Sequence, residues 1–417
     1  MNTDTSYPML TVEEARERLL AYVHPLDVVQ MPILDALGMV LAEDVAADAN
    51  IPPHDNSAMD GYAVRAADLA GVELPRLRVI GELGAGHVWE GTLGAGEALR
   101  IMTGAPIPRG ADTVVRFEDT ERQGDWVLIR RLPKRGSNVR YAGEDVRAGD
   151  IVLHCGQPLR PQEIGMLASV GRAEVRVHRR PRVAVLATGD EVLPLGAPPA
   201  PGKIRDINSH SNAAQVRQCG GEPLLLGVAP DREDTLADRL QRALDLKADL
   251  IVTSGGVSVG DFDLVKQVLS ARGEIAFWWV NMKPGKPMAF GTLEGVPLLA
   301  LPGNPVAAMI SFFLFGRPAI LKMLGYTRWP FMAVRARLRE AIARKDDRRH
   351  YLRVRLHETA DGLEATLTGE QGSGILSSMV AADGLAVIPE ACDHLPIGSE
   401  VEVLLFPGEQ HFEEVLR

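Results

Sequence analysis

The spacing of apolar and polar positions changes several times along the chain, and each change marks a different kind of element. Over residues 11–24 the apolar positions Ala15, Leu19 and Leu20 recur at helical spacing, and Thr11 followed three residues later by Glu14 predicts a capping box at the helix start. From about 46 to 146 the pattern becomes short β-prone runs broken by Gly and Pro. Leu77–Ile80, Ala98–Met102, Thr113–Phe117 and Trp126–Ile129 read there as strands of a small β-rich domain. Residues 181–325 alternate apolar runs (Val183–Ala187, Leu224–Val228, Leu250–Thr253, Ile275–Val280, Leu298–Leu301) with helical stretches near 209–219, 232–246, 262–271 and 305–323. Such β–α alternation predicts a mostly parallel, doubly wound α/β sheet covered by helices. Residues 330–417 return to β patterning at Tyr351–Leu356, Leu385–Pro389 and Glu400–Phe406. The stretches 25–45 and 147–180 are far apart in sequence but free to pack together, which makes the β-rich domain an insertion.

Composition narrows the class. At about 150 residues per domain, 417 residues predict two to four domains, enough to bury a core without a disulfide or metal staple. Apolar residues at 46% and charged residues at 24% exclude a disordered or fibrous chain. With 45 basic against 55 acidic residues the net charge is −10, which argues against a general nucleic-acid binder. Cys155, Cys219 and Cys392 are far apart and form no C-x-x-C, so neither a zinc knuckle nor a redox dithiol is legible, and a reducing compartment fits best. Met1–Leu10 is polar and carries Asp4, unlike a secretory signal. The longest strongly apolar run, Val306–Phe315, is half a membrane span and reads as a buried helix. The expectation is a soluble, cytoplasmic protein with neither nucleic acid nor membrane as a partner.

In open α/β sheets ligands bind beyond the carboxyl ends of the strands. Those ends are heavily loaded here: Thr188-Gly189-Asp190-Glu191, Ala229-Pro230-Asp231, Ser254-Gly255-Gly256-Val257-Ser258-Val259-Gly260-Asp261, Met282-Lys283-Pro284-Gly285-Lys286-Pro287 and Pro302-Gly303-Asn304-Pro305. Gly255, Gly256 and Gly260 let backbone N–H groups approach an anion, although a plain turn explains them as well. Neither a Walker loop nor G-x-G-x-x-G is present, which disfavours P-loop kinases and Rossmann dehydrogenases. Glu191, Asp231 and Asp261 would crowd the same crevice, where two like charges about 4 Å apart repel by about 4 kcal/mol at a surface-like dielectric. An anion beside them therefore calls for a cation, Mg²⁺ or a similar hard divalent ion. The competing reading makes Asp231 and Asp261 helix N-caps and Glu191 a solvated surface acid. Lys283 and Lys286, two of only eight lysines, suit oxyanion neutralisation, or else solubilise a loop. Pro52–Ala63, polar and rich in turn formers, and Met102–Pro108, directly after a strand, resemble site loops, though physics alone would assign each to a structural turn.

Taken together, these segments resemble one family, the molybdopterin molybdenumtransferases. Asn56–Ala63, Met102–Pro106, Asn138-Val139-Arg140 to Gly143-Glu144-Asp145, Thr188–Glu191, Ser254–Asp263 and Met282–Pro287 follow the family's order and spacing. The resemblance implies an α/β multidomain chain with four domains. Residues 1–45 and 147–180 would form an N-terminal and dimerisation domain, with residues 1–26 able to pack on the α/β domain. Residues 46–146 would be the inserted β-rich domain, 181–329 a doubly wound molybdopterin-binding domain, and 330–417 a β-barrel-like module. It also implies a homodimer whose active site lies between the α/β domain of one subunit and the inserted domain of the other. The implied substrates are adenylylated molybdopterin and molybdate, with AMP released and molybdenum cofactor formed. Glu191, Asp231 and Asp261 would hold the metal, and Gly255, Gly256, Ser258 and Gly260 would cradle the substrate. Lys283 and Lys286 would neutralise charge, while Asp60, Thr103 and Asp145 act from the inserted side. Ser373 and Ser377 sit in a loop resembling the family's pterin- or oxyanion-contacting segment. The molybdopterin adenylyltransferase is an implied partner. It is also an alternative reading, since it shares the α/β unit, as is a non-enzymatic scaffold built from the same domains.

Overall fold

A computed structural model of the chain describes residues 9–255, 273–344, 346–408 and 413–414. Two compact units emerge. Met1–Gln30, Gly38–Ala42 and Arg176–Arg417 make the first, and Met31–Leu37 with Glu43–Val175 the second, so the second is inserted in the first along the chain.

The first unit is built on a seven-stranded sheet. Its order is Met9–Leu10, Gly273–Val280, Pro287–Leu293, Val296–Leu301, Leu250–Ser254, Arg182–Thr188, Glu222–Ala229. The central strands are parallel, and Arg182–Thr188 is buried at every position from Val183 onward. Side chains alternate across a strand, and here the alternation separates two cores. Val183, Val185, Leu250, Val252, Leu299 and Leu301 face one cluster, which includes Ala15 and Leu19 of the helix Val12–Ala21 and most of the 305–323 helix. Ala184, Leu186, Ile251, Leu298 and Ala300 face the other, closed by Leu236, Leu240 and Ala243 of the helix Glu233–Asp245. The capping box at Thr11 forms in both directions: Glu14 N–H donates to Thr11 Oγ1 (3.2 Å), and Thr11 N–H donates to Glu14 Oε2 (2.9 Å).

One part of the sheet departs from the parallel pattern. Pro287–Leu293 runs antiparallel to both neighbours and returns into Val296–Leu301 through Glu294 and Gly295, both with positive φ (49° and 84°). That is a two-residue type I′ hairpin. The 305–323 helix is long and apolar enough to cross a membrane, yet most of it is buried in this core. It is α-helical over Pro305–Ser311, widens into a π turn over Phe312–Gly316 and resumes as Arg317–Met323. Pro318 lacks the N–H that an α-helical bond to the fourth preceding carbonyl needs, and the π turn lies just before it.

The C-terminal strands close on themselves. Arg349–Thr359, Gly362–Leu367, Ala333–Leu338, Glu400–Leu405 and Gly384–Ile388 pair in that order, and the last pairs back with the first. This is a five-stranded barrel filled by Leu338, Val354, Leu356, Ile388 and Val403, and closure leaves no free edge among these five. Met282–Lys283 pairs with Arg349–His350, tying the barrel to the α/β sheet. The second unit carries a six-stranded sheet ordered Thr113–Arg116, Gly61–Val64, Glu97–Ile101, Arg76–Leu83, Trp126–Ile129, Thr120–Gln123. Gly61 is obligatory there, because a Cβ would stand 2.0 Å from the Val115 carbonyl oxygen.

Candidate active site

A cavity of about 480 Å³ opens at the carboxyl ends of the central strands. Thr188, Glu191, Asp231 and Gly255 line it, as do Asp206, Asn208 and Asn304. The loops after two adjacent strands are cross-tied: Asp231 N–H donates to Asp190 Oδ1 (3.1 Å) and Asp190 N–H to Asp231 Oδ2 (3.4 Å). Gly189 takes a φ of +141°, and a Cβ on it would lie 2.7 Å from Glu191 Oε2, so the missing side chain makes room for that carboxylate. Gly255 has a φ of +91°, and a Cβ there would lie 2.6 Å from the Thr188 carbonyl oxygen. Close approach of two strand ends therefore requires this glycine. The remaining residues of that loop singled out in the sequence, Gly256, Ser258, Gly260 and Asp261, lie outside the described residues.

The donor set is compatible with a hard divalent ion. Glu191 and Asp231 offer oxygen ligands at one cavity, and Mg²⁺ is commonly held by one or two carboxylates with water and substrate phosphates completing the shell. Among the described residues no group of three or more His, Cys, Asp or Glu converges at metal-binding distance. Asp231 is not the N-cap of the following helix; Arg232 takes that position. Sequence inspection passed over Asp206 and Asn208. Asp206 is buried and accepts from Ser209 N–H (2.9 Å), and Asn208 donates from Nδ2 to the Gly303 carbonyl (2.7 Å) while its Oδ1 has no partner. The Asp-Ile-Asn spacing just before a helix was the available signal.

Lys283 and Lys286 leave the sheet on a loop next to Pro287, which lines the same cavity. Lys283 Nζ lies 3.1 Å from Asp346 Oδ2. Asp346 also accepts from Arg348 Nη2 (2.9 Å) and His350 Nε2 (2.8 Å). Burial alone would raise the Asp346 pKa, but these donors hold its carboxyl far below the usual carboxylate range. Burial lowers the His350 pKa despite its bond to Asp346. Lys286 Nζ sits 3.9 Å from the centroid of the Trp279 ring, a cation–π contact.

The loop carrying Ser373 and Ser377 is organised from beneath by a residue that sequence inspection left unassigned. Arg353 is fully buried and donates to Ser378 Oγ (2.9 Å) and to the carbonyls of Gln371 (3.1 Å), Glu370 (3.2 Å) and Gly372 (3.0 Å). The Ser373 carbonyl accepts from Val306 N–H (3.1 Å) in the first turn of the helix that follows the cavity residues Asn304 and Pro305. Ser377 is exposed on the short helix Leu376–Val380.

In the second unit, Asp60 and Thr103, 43 positions apart, meet directly. Asp60 Oδ1 accepts from both Thr103 N–H and Thr103 Oγ1, each at 2.7 Å. These two bonds, with the nearby positive charge of Arg100, lower the Asp60 pKa below the ordinary carboxylate range. Asn56–Ser57 pairs with Val139–Arg140, and Ala142 N–H donates to Asp55 Oδ1 (2.8 Å). Asp145 N–H donates to the Ile51 carbonyl (3.1 Å), and its side chain is exposed in the same cluster of loops.

Comparison with known proteins identifies the family. Residues 10–171 match the family described as MoeA N-terminal region (domain I and II) and 184–322 match a probable molybdopterin binding domain. Residues 335–406 match the MoeA C-terminal region (domain IV). The α/β domain of the first unit thus falls in the class of probable molybdopterin binding domains. A curated molybdopterin molybdenumtransferase from Haemophilus influenzae is 37% identical over 402 residues, covering 95% of this chain and 98% of that one. One from Nostoc sp. is 38% identical over 414 residues, covering 96% and 94%. A crystal structure of the molybdopterin biosynthesis moeA protein from Pyrococcus horikoshii OT3 superposes with a TM-score of 0.82 at 32% identity, covering 95% of this chain and all of that one. The chain belongs to the molybdopterin molybdenumtransferase family.

Proposed function

We propose that the chain transfers molybdenum from molybdate to adenylylated molybdopterin, releasing AMP, with a divalent ion at Glu191 and Asp231. The cavity bounded by those two acids, Gly255 and the helix start at Asn304 and Pro305 is the observation that carries the reading. Asp261 belongs to the proposed metal set by resemblance, as do Gly256, Ser258 and Gly260 to the substrate cradle. A hard divalent ion there would neutralise pyrophosphate charge beside the acids. Asn208 Oδ1, buried and unpaired, is available to accept from a donor on the pterin or ribose. Lys283 and Lys286 bring positive charge to the rim, where oxyanions are stabilised without proton transfer. Asp60, fixed by Thr103, is an acceptor able to orient water or metal-bound solvent, and Asp145 is a second acid proposed from the same unit by resemblance. Ser373 and Ser377 are the proposed contacts from the barrel.

A homodimer is part of the proposal, with Asp60 of one subunit acting on substrate held by its partner, as are a cytoplasmic setting and supply of substrate by the adenylyltransferase. The test is release of AMP from adenylylated molybdopterin by the purified chain with molybdate and Mg²⁺. Loss of release at limiting Mg²⁺ in folded Asp60→Ala and Asp231→Asn variants, and its partial return when the two are mixed, supports site and dimer together. Full turnover in both variants refutes the site, and no turnover by the unmodified chain refutes the reaction.

A further inference from the structure

A second cavity, of about 150 Å³, lies in the first unit where the helix Asn208–Gln218 and the π turn of the 305–323 helix meet the end of the barrel. It shares no lining residue with the cavity described above. Phe312, Phe313, Met379 and Phe406 make its walls largely apolar, and Gln215, Gln218, Cys219 and Arg317 supply its polar groups, with Gln218 Nε2 already donating to the Pro407 carbonyl (2.6 Å). Arg317 is the first residue beyond the π turn, a local widening of the helix often found at functional sites. One side of its guanidinium faces Phe331, 5.3 Å from the ring centroid. Its Nη1 is buried without a hydrogen-bond partner, and no carboxylate pairs with it among the described residues. Cys219 supplies no counter-charge either, since burial pushes its thiol up to about 11. Gln215 is anchored through Nε2 to the Met309 carbonyl (3.1 Å), which leaves Oε1 without a partner.

A half-buried cation with a buried, unused donor is costly, and an anion that reaches it recovers that cost. The surrounding walls exclude a strongly hydrated ion and favour a flat apolar body. A cavity near 150 Å³ holds about one benzene ring. We propose that this cavity binds a small aromatic monocarboxylate of benzoate size, with the carboxylate on the Arg317 guanidinium and the ring among Phe312, Phe313 and Phe406. A hydroxyl on the ring would additionally donate to Gln215 Oε1. The site is independent of the transferase reading, because none of its residues is placed in that machinery.

The test is calorimetric titration of the full chain with benzoate and with the neutral analogue benzamide. Benzoate should bind saturably at one site with a dissociation constant of about 1 mM or tighter, the range open to a ligand of this size. Benzamide should bind at least about tenfold more weakly, since it lacks the charge-assisted bond. Arg317→Met should abolish the preference for benzoate, and Cys219→Phe, which fills the cavity, should abolish binding of both. Absence of saturable benzoate binding, equal affinity for the two ligands, or a preference that survives Arg317→Met overturns the proposal. Should either variant fail to fold, the comparison of the two ligands on the unmodified chain decides alone.

Discussion

Replacing Arg353 by methionine removes four donated hydrogen bonds from beneath the Ser373–Ser378 loop while roughly preserving side-chain bulk. The consequences are unequal. Glu370 and Gly372 are exposed, so water can take over their carbonyls, but Ser378 Oγ is buried and the Gln371 carbonyl only half-open. Stranding these two acceptors costs about 1–3 kcal/mol each. Removing a buried guanidinium that has no carboxylate partner among the described residues returns part of this, because burial lowers its pKa. The net expectation is a loss of about 3 kcal/mol. For a domain of 150–250 residues that lowers the melting midpoint by about 6–12 °C. Arg353→Lys keeps the charge but presents one donor point in place of a planar fork, so it should recover less than half of the loss. Differential scanning calorimetry on the purified variants measures both, with limited proteolysis locating the loosened segment at 370–378. A shift below about 2 °C for Arg353→Met, or a lysine variant as stable as the unmodified chain, would falsify the idea that the fork organises this loop.

Thr103→Ala deletes one of the two bonds that lower the Asp60 pKa, so that pKa should rise toward the ordinary carboxylate value. If ionised Asp60 is required, the acid limb of the pH profile for AMP release moves to higher pH, whereas an unmoved limb argues against that requirement. Asp346→Asn should destabilise the chain equally at pH 5 and pH 8. Its folded pKa is strongly depressed, so its contribution is complete above the unfolded value and fades only as pH falls through the much lower folded one. Urea titrations at the two pH values check this, and a loss confined to pH 8 contradicts it. Glu191→Gln or Asp231→Asn should raise the Mg²⁺ concentration needed for half-maximal AMP release tenfold or more, about 1.4 kcal/mol of lost binding. An unchanged Mg²⁺ dependence would remove both residues from the metal set.

Much of the scaffold is legible in the order of residues because local pattern and tertiary packing agree. The run Val183–Ala187 is apolar at every position and becomes a strand buried on both faces, and Thr11 with Glu14 forms the expected cap. The strand Pro287–Leu293 is not legible, because it opens with the proline of a Lys-Pro loop and its hairpin turns on Glu294, which carries no turn signature of its own. Within the site, sequence inspection selects Asp60 and Thr103 only through resemblance. Their 2.7 Å contact depends on two strands, Gly61–Val64 and Glu97–Ile101, pairing at a particular register. The bonds of Arg353 and the Lys283–Asp346 pair are invisible for a related reason. Both depend on long-range placement, and a charged residue inside a barrel strand ordinarily predicts a solvated face.

The single hydrogen bond from Val306 N–H to the Ser373 carbonyl makes the barrel loop part of the support for the helix start that borders the cavity. Thermodynamic linkage makes such a connection reciprocal. If filling the cavity orders Asn304 and Pro305, it must also favour the docked position of the 370–378 loop, and a loop held in place must in turn tighten whatever the cavity holds. Occupancy would then be readable at a distance, as slower proteolysis or slower amide exchange in a segment that need not touch the ligand. The barrel would serve as a gauge of whether the α/β domain is loaded.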